Sequence, residues 1–335
     1  MTQSEEVVAA GPSGLFFFKR VQDHDSKPWS EGQPLPNTSK LNDSSVSGLA
    51  VVSTNRGNLY LYCVSSRKLH SFYHSQENGS SWVKDPYPPL SSYLVSGTPA
   101  VAMTSEEYSD SERWTLTVPN PSGGLLYTST NGSSSASYST RKTKWGPVYD
   151  IAKDLGIISS VSITAIHTET KSGAEKTVIV MACVAGGRLH TTKGNFKEKH
   201  SDYYSSGSAT WKVQTPTRIH HPGEVTGNPM LVKKARVNQL DLLVPSAEGG
   251  MFHYVQTPSC PDEWHMIARI TFPLGLPAAS CLAVHYRDRG FRRPRKFYAL
   301  IQSGGQLYRI ETSEGANPWS RSYLKPIVAP GPFSD

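Results

Sequence analysis

The sequence predicts an all-β protein, a six-bladed β-propeller, and three observations carry that prediction. A short apolar turn recurs six times: PSGLFF around Leu15, SRKLHS around Leu69, GGLLYT around Leu126, GGRLHT around Leu189, GGMFHY around Phe252 and GGQLYR around Leu307. A tryptophan follows each turn, at Trp29, Trp82, Trp145, Trp211, Trp264 and Trp319. The apolar anchors lie between 54 and 63 residues apart, with strand patterns inside each interval. That period, filled by strands and tight turns, is the mark of a propeller blade. An array that closes on itself is one domain at any length, so residues 1–335 are expected to form a single domain.

The blade at 227–278 shows its elements most plainly. A Gly227-Asn228-Pro229 turn opens a short apolar run over 230–232, the innermost strand. Residues 233–238 are polar and hold the first hairpin. The run 240–244 is a second strand, stopped by Pro245, which cannot donate to a ladder. Gly249 and Gly250 supply the positive φ of the next turn, 251–255 is a third strand, and Trp264 opens a fourth. Four antiparallel strands in under fifty residues make one blade.

The other repeats, about 48–96, 97–159, 160–226 and 279–326, match element by element. Their inner strands begin at Gly48, Gly97, Ser160 and Ala279. Their second strands cover 59–64, 114–118, 178–184 and 297–301. VPNPSGG (118–124) and VPSAEGG (244–250) share the proline and both glycines at the same spacing. The sixth blade is expected from 5–47 plus 327–333. There 7–10 and 15–19 are the second and third strands, Trp29 opens a fourth, and the tail 327–329 supplies the innermost. Such a clasp leaves no open sheet edge.

Each repeat tryptophan opens a fourth strand, where its ring either wedges between blades or stacks on the C–H face of a sugar. Trp114 stands outside the repeat and reads as an edge packing residue. The residue after each anchor is Phe16, His70, Tyr127, His190, His253 or Tyr308. Five of the six put a polar atom on an aromatic ring. Either they pack and hydrogen-bond a backbone carbonyl, or they line equivalent pockets and offer each ligand one donor.

The stretch GEVTGNPMLVKKARVNQLDLLVPSAEGGMFHYVQT resembles a repeat of the fungal β-propeller lectins of the Psathyrella velutina type. The shared marks are the Gly-Asn-Pro inner strand, the apolar strand ending in Val-Pro, and a Gly-Gly-x-x-His-Tyr strand with a following tryptophan. The full pattern is met at 227–264 and partly at 97–145 and 160–211. The fucose-specific six-bladed fungal lectins are similar in blade number and length. No repeated strand here carries the arginine and glutamate by which that group holds fucose. What the resemblance implies is a lectin-like propeller.

A formal charge of +7 suggests a polyanion partner, but much of the excess sits in YRDRGFRRPRKFY, which reads as one solvated hairpin tip rather than a patch spread across a groove, so no nucleic-acid partner is expected. No apolar run is long enough to cross a membrane. The start, MTQSEEVVAAGPSG, lacks a basic then apolar leader. Cys63, Cys183, Cys260 and Cys281 lack CxxC spacing. Together these predict a cytoplasmic protein with reduced thiols. No metal site is expected: His220 and His221 are adjacent, and neighbours on an extended chain point apart. No phosphate loop, dinucleotide fingerprint or hydrolase elbow is present, so no cofactor is expected either.

Two readings of function follow. In the first, the chain is a carbohydrate-binding protein without catalysis. Its glycan sites between blades draw on Trp145, Trp211 and Trp264 with His70, Tyr127, His190, His253 and Tyr308. The second rests on uneven loops rich in aromatic and apolar residues, among them Tyr87, Tyr93, Leu94, Tyr149, Ile151, Leu155, Ile157, Phe272, Leu274 and Leu276. It is a cofactor-independent cyclase, isomerase or pericyclase of fungal secondary metabolism, such as a Diels-Alderase, holding one apolar small molecule in the central funnel. Tyr93 and Tyr149 are its pocket walls, and His167 and His285 its candidate acid–base groups.

Overall fold

The computed structural model describes residues 4–11, 13–21, 30–41, 45–53, 58–74, 82–86, 88–103, 114–130, 145–169, 175–197, 210–233, 239–272, 278–279, 281–287, 296–303, 306–313 and 325–326. These form six antiparallel sheets, with one short 3-10 turn at Lys153–Leu155. Among the described residues no helix is long and apolar enough to cross a membrane.

Sheet I holds Ser4–Gly11, Gly14–Val21 and Gln33–Pro34. Sheet II holds Val46–Ser53, Leu59–Ser65, Lys68–His74 and Trp82–Lys84. Sheet III holds Ala100–Met103, Trp114–Pro119, Leu125–Ser129 and Tyr149–Ile151. Sheet IV holds Ile158–Glu169, Glu175–Ala185, Arg188–Lys197 and Thr210–Val213, with Thr217–Arg218 as a fifth piece. Sheet V holds Met230–Lys233, Leu240–Pro245, Met251–Thr257 and Cys260–Ile270. Sheet VI holds Cys281–Arg287, Lys296–Ser303, Gln306–Ser313 and Lys325–Pro326. Within each sheet the strands pair in chain order, except that Thr217–Arg218 pairs with the third strand of sheet IV. The five observed second strands contain the five ranges expected from sequence.

These second strands read as unbroken apolar runs because both their faces are buried. In sheet IV, Ile179, Met181 and Cys183 pack on sheet III, while Val180, Ala182 and Val184 pack on sheet V. In sheet II, Leu61 and Cys63 face sheet I, and Tyr62 and Val64 face sheet III. The core is thus divided into seams between consecutive sheets. First strands of neighbouring sheets also touch in sequence order. The Ser47 hydroxyl donates to the Gly97 carbonyl (3.1 Å), Thr98 and Ser160 form a parallel bridge, and the Ser160 hydroxyl donates to the Gly227 carbonyl (2.6 Å). At one of these contacts only glycine fits, since a Cβ on Gly48 would lie 2.4 Å from Cα of Thr98.

The tryptophans do not all open fourth strands. Trp82 does, and Trp211 is the second residue of its strand. Trp145 instead forms an isolated bridge with Thr130, and Gly146-Pro147 separates it from the strand at 149–151. Trp264 lies inside a strand that already begins at Cys260, because a two-residue turn at Pro258-Ser259 lets pairing start there. Trp29, Trp319 and the clasp at 327–329 lie outside the described residues.

Candidate functional site

Turn length decides which way the residue after each anchor points. In sheets II and IV the second and third strands are joined by two-residue turns, Ser66-Arg67 (φ 51° and 60°) and Gly186-Gly187 (φ 54° and 69°). Sheet VI has the same length, with Ser303 opposite Gln306. Sheets III and V use five residues, Asn120 to Gly124 and Ser246 to Gly250, closing on Leu125 and Met251. Because side chains alternate with a period of two, a change of one step in the pleat turns a residue to the other face.

The outcome is a clean split. His70 stands opposite Cys63, whose cluster includes sheet I, and His190 stands opposite Cys183, whose cluster includes sheet III. Tyr308 packs on the seam with sheet V. These three face the preceding sheet. Tyr127 lies in the seam with sheet IV, and His253 stands opposite Leu243, which packs with sheet VI. These two face the following sheet. Seams II–III and IV–V therefore receive apolar anchors from both sides, Leu69 with Leu126 and Leu189 with Phe252. Seams III–IV and V–VI receive the polar aromatics, Tyr127 with His190 and His253 with Tyr308.

Exposure follows the same split. His70, His190 and Tyr308 are partly exposed. Phe16, Tyr127 and His253 are buried. The expectation that Tyr127 and His253 offer donors to a ligand therefore meets an obstacle in both cases. The Tyr127 hydroxyl lies 3.5 Å from Oγ1 of Thr115, and burial pushes its phenol far above the ordinary range. The His253 ring holds Asp241 at 2.7 Å with neither side chain exposed.

The III–IV seam is where predicted site residues come together. Tyr127 is buried within it, and Tyr149, paired with it across the strands at a ring distance of 6.3 Å, is half-buried beside it. His190 comes from the opposite wall. Arg218 stands directly across the ladder from His190, carried by the fifth strand piece that continues past Pro216. Asp154 enters on the 3-10 turn, and Asp150 is held by Lys153 at 3.1 Å. The His190 imidazole is lowered in pKa by burial first, then by Arg218 and Arg188, with Asp154 pulling the other way. At neutral pH it is a neutral ring with one donor and one acceptor. One rim thus offers a guanidinium fork, an imidazole, carboxylates and an aromatic face.

His70 is lowered similarly, by burial and then Lys84, with a hydrogen bond to the Ser65 backbone opposing and Lys68 adding to the shift. The sequence reading missed Arg218 and Asp154, which lie at no repeated position, and Arg188, which precedes the anchor Leu189 where the repeats share no residue type. The Thr-Pro-Thr-Arg break after Trp211 was the available signal for Arg218.

The tryptophans sit elsewhere. Trp82 is buried against Phe17 (5.7 Å) and His74 (5.3 Å) between sheets I and II. Trp145 meets Tyr62 edge-on at 6.1 Å in seam II–III, and half-buried Trp264 packs in seam IV–V. Trp114, on a second strand, is buried 4.2 Å from Tyr60. Trp82 pairs with His74, four residues along the strand from His70 or about 13 Å. Ring and imidazole of that repeat therefore do not form one site. The backbone of Trp211 pairs with Phe196, likewise well beyond His190.

His167 pairs with Thr177 and His285 with Tyr298, both near the first-hairpin ends of their strands. That is the end opposite the His190 rim. Tyr93 (42% exposed) and Leu94 (55%) lie in the loop entering sheet III, tied down where the amide of Val95 donates to the Arg67 carbonyl. Ile157, 71% exposed, lies in the loop entering sheet IV. Tyr87, Leu274 and Leu276 lie outside the described residues.

No family model matches the sequence, and no curated protein matches it. Solved structures do. The fucose-specific lectin from Aleuria aurantia matches with a TM-score of 0.61 at 14% identity, covering 97% of this chain and 91% of that one. AofleA from Arthrobotrys oligospora matches with a TM-score of 0.61 at 11% identity, covering 98% and 87%. At these identities the likeness is one of fold.

Proposed function

We propose that this chain is a fungal-type, lectin-like protein that binds carbohydrate without catalysis. In this reading residues 1–335 are one six-bladed propeller closed by its terminal strands, and a glycan occupies the groove between sheets III and IV. The observation that carries it is the meeting of His190 and Arg218 from one sheet with Tyr149 from the preceding one and Asp154 from the turn that links them. A pyranose needs donors and acceptors for its hydroxyls and an aromatic plane for its C–H face. Arg218 supplies a planar fork, His190 one donor and one acceptor, Asp154 acceptors, and Tyr149 the plane. The likeness in fold to a fucose-specific lectin supports the same reading.

Binding to a glycan array tests it, followed by calorimetry of the best sugar. His190→Ala and Arg218→Ala should each weaken binding about tenfold or more, the cost of a lost hydrogen bond to a charged or buried group. Silent arrays with folded protein, or affinity untouched by both substitutions, would overturn it.

A second reading is favoured by the exposed apolar side chains Tyr93, Leu94 and Ile157. In it one apolar small molecule is confined and steered through a cyclisation, with His167 or His285 moving a proton. Unchanged turnover in both histidine variants would reject the proton transfer, and ligand located only between sheets would reject the confinement.

A further inference from the structure

The outer hairpin of sheet V holds a group of side chains with the chemistry of a metal site. Cys260, Glu263 and His265 place one Sγ, one carboxylate oxygen and one imidazole nitrogen all within 4.8 Å of one another. Sequence spacing alone does not suggest this. On a regular strand, residues 260 and 265 are an odd number apart and point to opposite faces.

A bulge removes that obstacle. Val255 pairs with His265 and Thr257 with Cys260, so the four residues 261–264 stand against Gln256 alone. Val255 and Thr257 share a face, so their partners His265 and Cys260 share it as well. Glu263, two residues before His265, points the same way. Bulges re-aim side chains in this manner and cluster near sites. The distortion is also held from outside: Lys193 of sheet IV reaches over to donate to the Pro261 carbonyl and to the Asp262 carboxylate at 3.0 Å. Its side chain is only 16% exposed, so the latch is well seated.

From this geometry we propose that Cys260, Glu263 and His265 form a zinc-binding site. Thiolate, imidazole and carboxylate together are the donor set of zinc, which binds them at about 2.0–2.3 Å in a tetrahedron. Tetrahedral angles at those lengths put neighbouring nitrogen and oxygen ligands about 3.3 Å apart. Glu263 Oε2 and His265 Nε2 already lie 3.7 Å apart. Small rotations of two exposed side chains complete the closure. Cys260 gives up its proton to solvent on binding, and the fourth position is left for water. Cys63 and Cys183 cannot compete, because both are buried with thiols pushed up to about 12.

The test is titration of the full chain with cobalt(II), then displacement by zinc(II). One cobalt per chain should bind with a thiolate-to-metal charge-transfer band, which zinc then abolishes. Zinc should also protect Cys260 from alkylation. Cys260→Ser should remove the band, and His265→Ala should weaken binding by more than the about 10–100-fold that loss of an outer-shell partner costs. Cys281→Ser should leave the titration unchanged. Circular dichroism of the variants verifies folding, and alkylation of the unsubstituted chain gives a reading independent of them. No band, a band that survives Cys260→Ser, or alkylation indifferent to zinc would overturn the proposal.

Discussion

Nε2 of His253 lies 2.7 Å from Oδ1 of Asp241, inside sheet V and away from solvent. Asp241 stands opposite Val255, so the two residues meet diagonally across the second and third strands. An aspartate in a run of leucines is tolerated because a ring on the next strand covers it. His253→Ala should therefore destabilise the fold by about 3–5 kcal/mol, since it leaves a buried carboxyl without this partner. Replacing both with leucine should cost less than either single change. Urea denaturation across the double-mutant cycle checks this, and a single-variant loss below about 1 kcal/mol would contradict it.

That pair also marks where the sequence stopped being readable. Strand positions were legible because second strands buried on both faces read as continuous apolar runs, as in LDLLV and VIVMACV. The repeat also located the position after each anchor. Its facing was not legible, because two-residue and five-residue turns present equivalent-looking residues to opposite neighbours. His190 and His253 look alike in GGRLHT and GGMFHY, yet one reaches a rim and the other the core. Arg218 and Asp154 were missed for a different reason: a site made by two sheets draws on segments that no repeat aligns.

Burial separates the tryptophans by energy. Trp82 is 6% exposed in seam I–II, whereas Trp264 is only half-buried in seam IV–V. Trp82→Ala should cost about 3–5 kcal/mol, and Trp264→Ala distinctly less. Acrylamide should quench Trp264 and spare Trp82, as judged by comparing the two single-tryptophan deletions. Equal losses of stability would mean that the seams are equally tight.

Gly250 is strained for any other residue. Its φ is +83°, and a Cβ there would lie 2.0 Å from the Ile270 carbonyl oxygen, where the fourth strand ends. Gly250→Ala must both adopt an unfavourable backbone conformation and push that strand away. The conformational part alone is of order 1–3 kcal/mol. Thermal melting should show a clear drop, and a melting temperature within a degree of the parent would refute the close approach.

The lowered imidazole of His190 sets a pH window. Its folded pKa lies below the ordinary histidine value of about 6.5, because burial and the cations Arg218 and Arg188 disfavour a charge there. The unfolded chain therefore takes up the proton first. Stability from this residue is fully present above pH 6.5 and is lost as the pH falls from there through the folded pKa. His190→Gln, which cannot titrate, should flatten that part of the stability profile. Glycan binding should follow the folded value: affinity holds at neutral pH and falls only when the bound-state imidazole gains its proton beside the two arginines. Calorimetry from pH 7.5 to pH 5 on parent and His190→Gln separates the two effects. An affinity profile that titrates above pH 6.5, or one identical in both proteins, would show that His190 is not the group facing the sugar.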